Sequence, residues 1–533
     1  MSWSVVVELA AAAWPTTMRA AWRAVRCAVL VPTLQLAVYV CVAMSLMLFV
    51  ERLYMALVVA WLWLLRRRGR GRRRRHRSRD EEEEDDDLEA NAVQRPMVLV
   101  QIPMFNEKQV YRLSIGAACG MTWPSDKLLI QVLDDSTEPA IREMVELECS
   151  RWAAKGVFIR YENRRNRSGY KAGAMRDGLR KPYVRDCDLV AVFDADFQPD
   201  ADFLLRTVPL LQADPTLALV QARWHFVNAD ECLLTRIQEM SLDYHFLVEQ
   251  EVGSTCHAFF GFNGTAGVWR LRALEDAGGW KERTTVEDMD LAVRASLRGW
   301  RFVYAGHVGV RNELPSTLRA YRYQQHRWSC GPANLFRKMF REVLASARVS
   351  PWKKLHLLYA FFFVRKVVAH LVTFVFYCVV IPACVLAGGD VRLPKYIALY
   401  VPAVITLLNA ACTPRSWHLL IFWILFENVM SMHRSKATVI GLLEASRANE
   451  WVVTEKLGKT ATVVVVDKKQ QHIMRKKTSG GGGGGVHMAE MLLGACLLYC
   501  AVYDIAFGRD HFYIYLLLQS AAAFIVGFGY VGT

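Results

Sequence analysis

The chain has 533 residues, 53% of them hydrophobic, and carries 66 Lys and Arg against 51 Asp and Glu, a formal net charge of +15. A soluble chain of this length would form about three or four domains of ~150 residues, but here long apolar runs lie towards both ends. Fibrous, collagen-like and wholly disordered classes are excluded. The positive charge suits nucleic acid or an anionic membrane surface, and the apolar runs favour the membrane.

The first apolar run, residues 27–50, is long enough to cross a bilayer, which takes ~20 residues. Glu51 and Arg52 interrupt it, and apolar residues resume as far as Leu65. The run leads directly into an Arg-rich block, so a cleaved signal peptide is a poor interpretation. We predict an N-terminal transmembrane anchor over residues 1–65.

A basic block, Arg66–Arg79, is followed at once by an acidic block, Asp80–Asp87. Nucleic-acid-binding proteins place basic residues on a folded face, often with stacking aromatic side chains, and this block has neither. A positive-inside signal followed by an acidic spacer fits better. We therefore predict a charged disordered linker over residues 66–95 and no nucleic-acid partner.

Residues 96–330 read as a globular α/β domain. Continuous apolar strands that alternate with helix-compatible stretches indicate a parallel sheet covered on both faces, with ligands beyond the carboxyl ends of the strands. Two of these runs end in acidic residues. This pattern predicts a functional site at the edge of the sheet where the carboxyl ends of the strands lie. The runs are Met97–Pro103, Lys127–Asp135, Gly156–Tyr161, Asp188–Asp196 and Leu217–Ala222.

Residues 331–533 are predicted to hold interfacial helices and the remaining membrane spans. Residues 417–443 carry Glu427 and Asn428, so they are expected to lie in the interface as an amphipathic helix. Keeping the basic segments on the cytoplasmic side gives five spans in the whole chain, with six as the alternative. The four C-terminal spans are 355–389, 396–412, 488–503 and 512–531.

Four polar clusters follow one another in the α/β domain. Acidic pairs at strand ends are common solvated turn residues, and Asp288 is also suited to cap a helix near Met289. The ordered set nevertheless favours one shared site, in which a hard cation with open positions takes diphosphate oxygens. The clusters are Asp134–Asp135, Asp194–Asp196 with Lys171 before it, Glu287–Asp288, and Gln324 with Arg327–Trp328.

Three phrases, Phe262–Arg270, Thr284–Arg294 and Tyr323–Leu335, resemble the cellulose-synthase-like A subfamily of plants, within the processive family 2 glycosyltransferases. The resemblance covers Pro96 to the end. It implies a GT-A-type catalytic domain (a Rossmann-like, mostly parallel sheet) joined to a multi-pass helical membrane region. It also implies a Golgi mannan or glucomannan 4-β-mannosyltransferase that uses GDP-mannose and GDP-glucose. Trp451–Lys456, in a loop over residues 434–487, is similar to the gating loop of cellulose synthases.

On this basis each predicted site residue receives a role. The Asp196 carboxylate is expected to hold Mg²⁺ or Mn²⁺ on the diphosphate, and Asp288 is expected to be the general base for the acceptor hydroxyl. Asp135 is assigned to the reacting centre on the donor side. Supporting roles fall to Asp194 and Lys171 on the donor, Glu287 beside the base, Gln324 and Arg327 on the diphosphate, and Trp328 under an acceptor sugar ring.

Several alternatives stay open. The motifs also fit a β-1,4-glucan synthase of the xyloglucan-backbone type that uses UDP-glucose, and only the subfamily phrases favour mannan. A transporter without catalysis leaves the acidic site unexplained. The expected partners are the nucleotide sugars, the growing polysaccharide and the lipid bilayer. A second copy of the chain or an accessory glycosyltransferase is a candidate protein partner.

Overall fold

The computed structural model describes residues 16–76, 95–164, 166–444, 486–508 and 511–532. At the N-terminus, α1 (Thr16–Val25), a π-helical segment (Arg26–Leu30) and α2 (Val31–His76) follow one another. The helix therefore continues into the first eleven residues of the predicted linker, as expected for Arg, a good helix former. Residues 77–94 lie outside the described part.

Eight strands form one sheet in the order β3-β2-β1-β4-β7-β6-β8-β5. Neighbours pair in parallel except β7, which is antiparallel to β4 and β6, and β5, which is antiparallel to β8. The expected mostly parallel sheet is thus confirmed. The strands are β1 (Val98–Met104), β2 (Leu128–Asp134), β3 (Ile159–Asn163), β4 (Leu189–Val192), β5 (Gln198–Pro199), β6 (Leu217–Phe226), β7 (Gly267–Arg270) and β8 (Arg301–Asn312).

Alternation along the strands fills both faces of this sheet. In β1, Leu99 packs into one hydrophobic cluster, whereas Val98, Val100 and Ile102 pack into the other. All four side chains are fully buried, as a sheet covered on both faces requires. The covering helices are α3 (Tyr111–Cys119), α4 (Pro139–Ala154), α5 (Tyr170–Leu179), α6 (Phe203–Ala213), α8 (Leu271–Asp276) and α9 (Glu287–Leu297). Helix α7 (Leu233–Tyr244) packs instead against the C-terminal helices.

The chain then leaves the sheet along a long helix and enters an apolar bundle. Its helices are α10 (Leu318–Ala345), α11 (Pro351–Leu355), α12 (Ala369–Phe374), α13 (Ile381–Leu386), α14 (Lys395–Ala410), α15 (Leu420–Leu443), α16 (Met488–Phe507) and α17 (Tyr513–Gly527). Helices α11 to α13 form one continuous helix, Pro351–Leu386, with π-helical turns at His356–Val368 and Val375–Val380.

Three described helices are long and apolar enough to cross a membrane: Thr16–Arg67, Pro351–Leu386 and Met488–Phe507. The other two predicted spans appear as shorter apolar helices, Tyr396–Ala410 and Tyr513–Gly527. All five predicted segments are therefore helical.

Helix α15 was predicted to be interfacial, and its depth relative to a membrane stays a prediction. It packs against α10, α12 and α17. Its polar residues have partners there, because Asn428 Nδ2 donates to Gln519 Oε1 at 3.1 Å and Arg434 is paired with Glu427. The helix ends at Leu443, so the gating-like phrase Trp451–Lys456 lies outside the described residues.

Candidate active site

The carboxyl edge of the sheet carries the first acidic residues of the site. Strands β1, β2 and β4 run parallel, so Asp135, which follows β2, and Asp194, which lies two residues after β4, come to the same edge. The Asp194 amide donates to Thr265 Oγ1 at 2.9 Å, which ties this turn to the segment before β7.

The adjacent residues Asp134 and Asp135 have different surroundings. Asp134 is fully buried and accepts hydrogen bonds from the Ser136 amide and the Tyr161 hydroxyl, both at 2.9 Å, so it stabilises the turn. Asp135 faces the site and receives a bidentate pair from Arg164, with Nε to Oδ1 at 2.8 Å and Nη2 to Oδ2 at 2.5 Å. A bidentate pair fixes the plane of the carboxylate as well as its position.

Lys171, in the first turn of α5, connects Asp194 to the segment before β7. Its Nζ donates to Asp194 Oδ1 at 2.5 Å and to the Gly264 carbonyl at 2.8 Å. Burial lowers the pKa of Lys171, but the charges of Asp194 and Glu287 outweigh this effect and raise the pKa above its ordinary value. The ammonium therefore stays charged beside the acids.

Glu287 and Asp288 form the first turn of α9, where helix N-termini favour negative charge. The Met289 amide donates to Asp288 Oδ1 at 2.6 Å. Burial is the main cause that raises the pKa of Asp288 to about 6, with Lys171 opposing it. Burial and the neighbouring Asp288 charge raise the pKa of Glu287 to about 8. Burial and mutual repulsion thus favour protonation of this pair of carboxylates at a higher pH than usual.

Helix α10 brings the last cluster to the site. Gln324, Arg327 and Trp328 are spaced at i, i+3 and i+4, so they share one face of the helix. Burial lowers the pKa of Arg327, and the surrounding carboxylates, Asp194 foremost, act against that effect. The Arg327 guanidinium thus lies within the field of the acidic residues from the sheet and from α9.

One cavity of about 190 Å³ joins these elements. All nine site residues predicted from the sequence line it, although they come from the sheet edge and from three different helices. They are Asp135, Lys171, Asp194, Asp196, Glu287, Asp288, Gln324, Arg327 and Trp328.

The sequence analysis assigned no role to several further residues at this cavity. The Arg167 guanidinium lies over the Phe105 ring, 3.3 Å from its centroid, and both line the wall. Arg164 fixes Asp135 from 29 residues away, a distance along the chain at which spacing gives no signal. Gly264 lies within Phe262–Arg270, one of the three phrases that carry the family resemblance, but its role is visible only in the structure. Its φ is +80°, and an added Cβ would lie 2.8 Å from Asp288 Oδ2.

A second cavity, of about 270 Å³, adjoins the first and shares Asp288, Gln324 and Trp328 with it. We call it the inner cavity. It extends towards the apolar bundle and reaches Phe361, Arg365 and Glu427. Its wall combines charged and polar side chains with eight aromatic ones. The aromatic ones are Trp224, Phe246, Phe259, Phe260, Phe262, Tyr321, Trp328 and Phe361.

Two family models and two plant proteins match long stretches of the chain. The family model described as "Glycosyl transferase family 2" matches residues 99–265, and "Glycosyl transferase family group 2" matches residues 189–411. Glucomannan 4-beta-mannosyltransferase 1 of Cyamopsis tetragonoloba is 60% identical over 97% of this chain and 96% of its own length. Glucomannan 4-beta-mannosyltransferase 9 of Arabidopsis thaliana is 61% identical over 96% of this chain and 93% of its own length.

The chain belongs to the plant glucomannan 4-β-mannosyltransferases of glycosyltransferase family 2. This confirms the subfamily that the three sequence phrases indicated. Among solved structures, a mannosyltransferase from Pyrobaculum calidifontis in complex with GDP-Man and Mn²⁺ is 18% identical, with a TM-score of 0.46 over 76% of this chain and all of that one.

The Gly264 backbone gives a testable prediction for this glucomannan mannosyltransferase. In Gly264→Ala the new methyl group would collide with Asp288 and hold a left-handed backbone, which alone costs about 1–2 kcal/mol. Because a displacement of about 1 Å at reacting groups can lower the rate ~100-fold, we expect kcat for mannosyl transfer to fall at least about tenfold.

The matched control is Gly299→Ala. Gly299 also has a positive φ, +97°, but an added Cβ there would meet no atom within 4 Å. It therefore imposes similar backbone strain without touching the site, and its kcat should match that of the unmodified chain. Equal kcat values for the two variants would show that Gly264 matters only for backbone conformation.

Proposed function

We propose that the chain is a processive inverting glycosyltransferase that polymerises β-1,4-linked mannose from GDP-mannose and inserts glucose from GDP-glucose into a glucomannan backbone. The observation that carries this proposal is the sharing of Asp288, Gln324 and Trp328 between the first cavity, which we call the charged cavity, and the inner cavity, whose wall includes eight aromatic side chains. The first suits a nucleotide sugar, and the second suits a sugar chain. The names of the relatives supply the sugar and the linkage.

The chemical step is a single in-line displacement. An acceptor hydroxyl oxygen forms a bond to the anomeric carbon of the donor while the bond from that carbon to the diphosphate oxygen breaks. The diphosphate leaves with the electron pair, and the hydroxyl proton passes to the Asp288 carboxylate. One displacement inverts the anomeric centre, so an α-linked donor gives a β-linked product.

The donor side needs groups that accept negative charge and fix a nucleotide. Lys171 and Arg327 supply the positive charge next to the leaving diphosphate, and Gln324 extends the same helix face. Asp135, with its plane fixed by Arg164, and Asp194 are assigned to the donor's hydroxyl-bearing part. Glu287, whose protonated form is favoured by burial, can in that form donate a hydrogen bond beside the base.

Asp196 fits the role of cation ligand. In the part of the chain that the structure describes, no group of three His, Cys, Asp or Glu side chains could hold a metal by itself. Mg²⁺ sites commonly need only one or two carboxylates, with water and substrate phosphates completing the shell, and Asp196 lines the charged cavity. A bound Mg²⁺ or Mn²⁺ would neutralise charge on the departing diphosphate.

The inner cavity is assigned to the acceptor chain. Sugar rings expose C–H faces that pack on aromatic side chains, and Trp328 lies at the boundary with the charged cavity. A chain end bound there would bring its hydroxyl to Asp288. We also infer a Golgi membrane location from the subfamily resemblance, which density fractionation with Golgi markers checks.

The central test is Asp288→Asn, which keeps the shape of the side chain and removes the base. We expect incorporation of label from GDP-mannose to fall about 10²–10⁴-fold, the usual contribution of a general base. Binding of GDP to the membranes should stay within about twofold, because the donor contacts remain. A variant that retained the full rate would remove Asp288 from the mechanism.

The same assay compares donors. GDP-mannose alone should give mannan, and GDP-glucose should be incorporated when both are present. Incorporation from UDP-glucose alone would contradict the mannan proposal and favour the xyloglucan-backbone alternative.

The pH dependence follows from the raised pKa of Asp288. A base works only when deprotonated, so kcat/KM should be constant above the pKa of about 6 and fall about tenfold for each pH unit below it. The residual activity of Asp288→Asn should lack this acidic limb. If kcat/KM stayed constant down to about pH 4.5, close to the pKa of an ordinary carboxyl group, burial would not raise the pKa of Asp288.

The cation assignment can be tested through binding. Asp196→Asn should weaken Mn²⁺-dependent binding of GDP about tenfold or more, because a ligand is lost. The control is Asp202→Asn, an exposed residue of the same segment that pairs with Arg206. Equal weakening in both variants, or GDP binding that is indifferent to chelation of the metal in the unmodified chain, would remove the assignment.

A further inference from the structure

Two charged residues in the N-terminal helix have no role in anchoring. Glu51 and Arg52 interrupt an otherwise apolar span, where each charge is costly unless it is paired. Both turn towards the protein: Glu51 is 8% exposed and is paired with Arg365, and Arg52 Nη1 donates to Glu249 Oε1 at 2.8 Å. A helix that served only as an anchor would gain nothing from these residues.

Arg52 begins a chain of polar contacts that ends at the inner cavity. The other oxygen of Glu249, Oε2, lies 2.8 Å from His245 Nδ1. His245 Nε2 lies 3.1 Å from both Asn263 Oδ1 and Gln250 Nε2. All four of these domain residues line the inner cavity, which Asp288 also reaches.

Electrostatics and packing hold this contact in place. Burial raises the pKa of Glu249, but the Arg52 charge and the His245 hydrogen bond bring it well below its usual range, so the carboxylate is ionised. The Arg52 guanidinium carbon lies 4.6 Å from the centroid of the Tyr244 ring. One turn along the helix, Met55 is fully buried against Tyr244, Val248 and Val252.

At the inner-cavity end of this series of contacts, two amide atoms lack a hydrogen-bond partner within the part of the protein that the structure describes. Among the described residues, Asn263 Nδ2 and Gln250 Oε1 are buried and have no hydrogen-bond partner within the protein. A buried polar atom of this kind is costly unless something else satisfies it. Both residues line the inner cavity, so the orientation of their amides decides which hydrogen-bonding groups an acceptor ring would meet there.

We propose that Arg52 is a positioning residue for acceptor binding: it fixes Glu249 and His245, and through them the Asn263 and Gln250 amides that face the inner cavity. The N-terminal helix thereby completes the acceptor site in addition to anchoring the chain. This inference rests on the proposed function in one respect, the assignment of the inner cavity to the acceptor.

The test uses the full chain in membranes, with a β-1,4-linked manno-oligosaccharide as the added acceptor. Arg52→Gln should raise the acceptor KM about tenfold, the loss expected when a charge-assisted contact is removed. The KM for GDP-mannose, and kcat at saturating acceptor, should stay within about twofold, because the donor contacts are unchanged. Glu249→Gln should have the same effect, and the double variant should add nothing further. Arg52→Lys, which keeps the charge, should restore most of the acceptor affinity.

The matched control is Arg66→Gln. Arg66 lies in the same helix and pairs with Glu251, two residues from Glu249, but neither residue lines either cavity. Its acceptor KM should equal that of the unmodified chain. An equal rise in both variants would mean that general docking of the helix is responsible, and a fall in kcat with unchanged acceptor KM would likewise overturn the proposal. If Arg52→Gln does not accumulate, Glu249→Gln alone decides between these outcomes.

Failure of the underlying function would appear differently. If the inner cavity does not bind acceptor, the unmodified chain itself would show no saturable dependence on the oligosaccharide. If only the positioning role is wrong, the unmodified chain would saturate normally and Arg52→Gln would match it.

Discussion

The attraction between two buried cations and a group of carboxylates determines the shape of the site. Lys171 and Arg327 approach from α5 and α10, and the acids come from the sheet edge and from α9. Carboxylates gathered in a buried cavity repel one another and lose hydration, which is why the pKa values of Glu287 and Asp288 remain raised even with the cations present. Without either cation, the uncompensated negative charge would oppose the approach of an anionic donor. The same balance that holds these elements together therefore suits the diphosphate of the proposed donor.

The sequence predicted those features of the site that depend on the order of the strands along the chain. Apolar runs predicted β1 to β4 and β6, and the acids at the ends of β2 and β4 predicted the edge at which the cavity lies, because parallel strands bring their carboxyl ends together. The sequence could not show β7, an antiparallel strand of four residues whose insertion between β4 and β6 depends on tertiary pairing. It also could not show the Arg164–Asp135 pair or the approach of Gly264 to Asp288, since both arise from contacts distant along the chain.

Polar residues in an apolar helix have two physical explanations. Glu427 and Asn428 predicted a helix at the membrane surface, and the structure shows that α15 packs against three other helices. Glu427 and Arg434 are seven residues apart, two helical turns, and so lie on one face and pair with each other at the inner cavity. A polar residue within an apolar helix indicates an internal partner or a polar cavity as readily as an interface, and the seven-residue spacing was the readable sign of which one applies.

The position of Asp288 at the boundary of the two cavities has a consequence for repeated transfer. A base that served only the donor would lie deep in the charged cavity, whereas Asp288 lines both, with Trp328 beside it. If the acceptor occupies the inner cavity, each transfer lengthens the chain at the boundary and leaves the new terminal sugar on the donor side of Trp328. The chain must then advance by one sugar before the next hydroxyl can meet Asp288. Aromatic packing opposes this movement only weakly, because it has little directional preference, whereas hydrogen bonds with the polar side chains of the wall, such as Asn263 and Gln250, would favour discrete positions. An acceptor wall that combines both kinds of contact can hold a chain end in register and still release it for the next step.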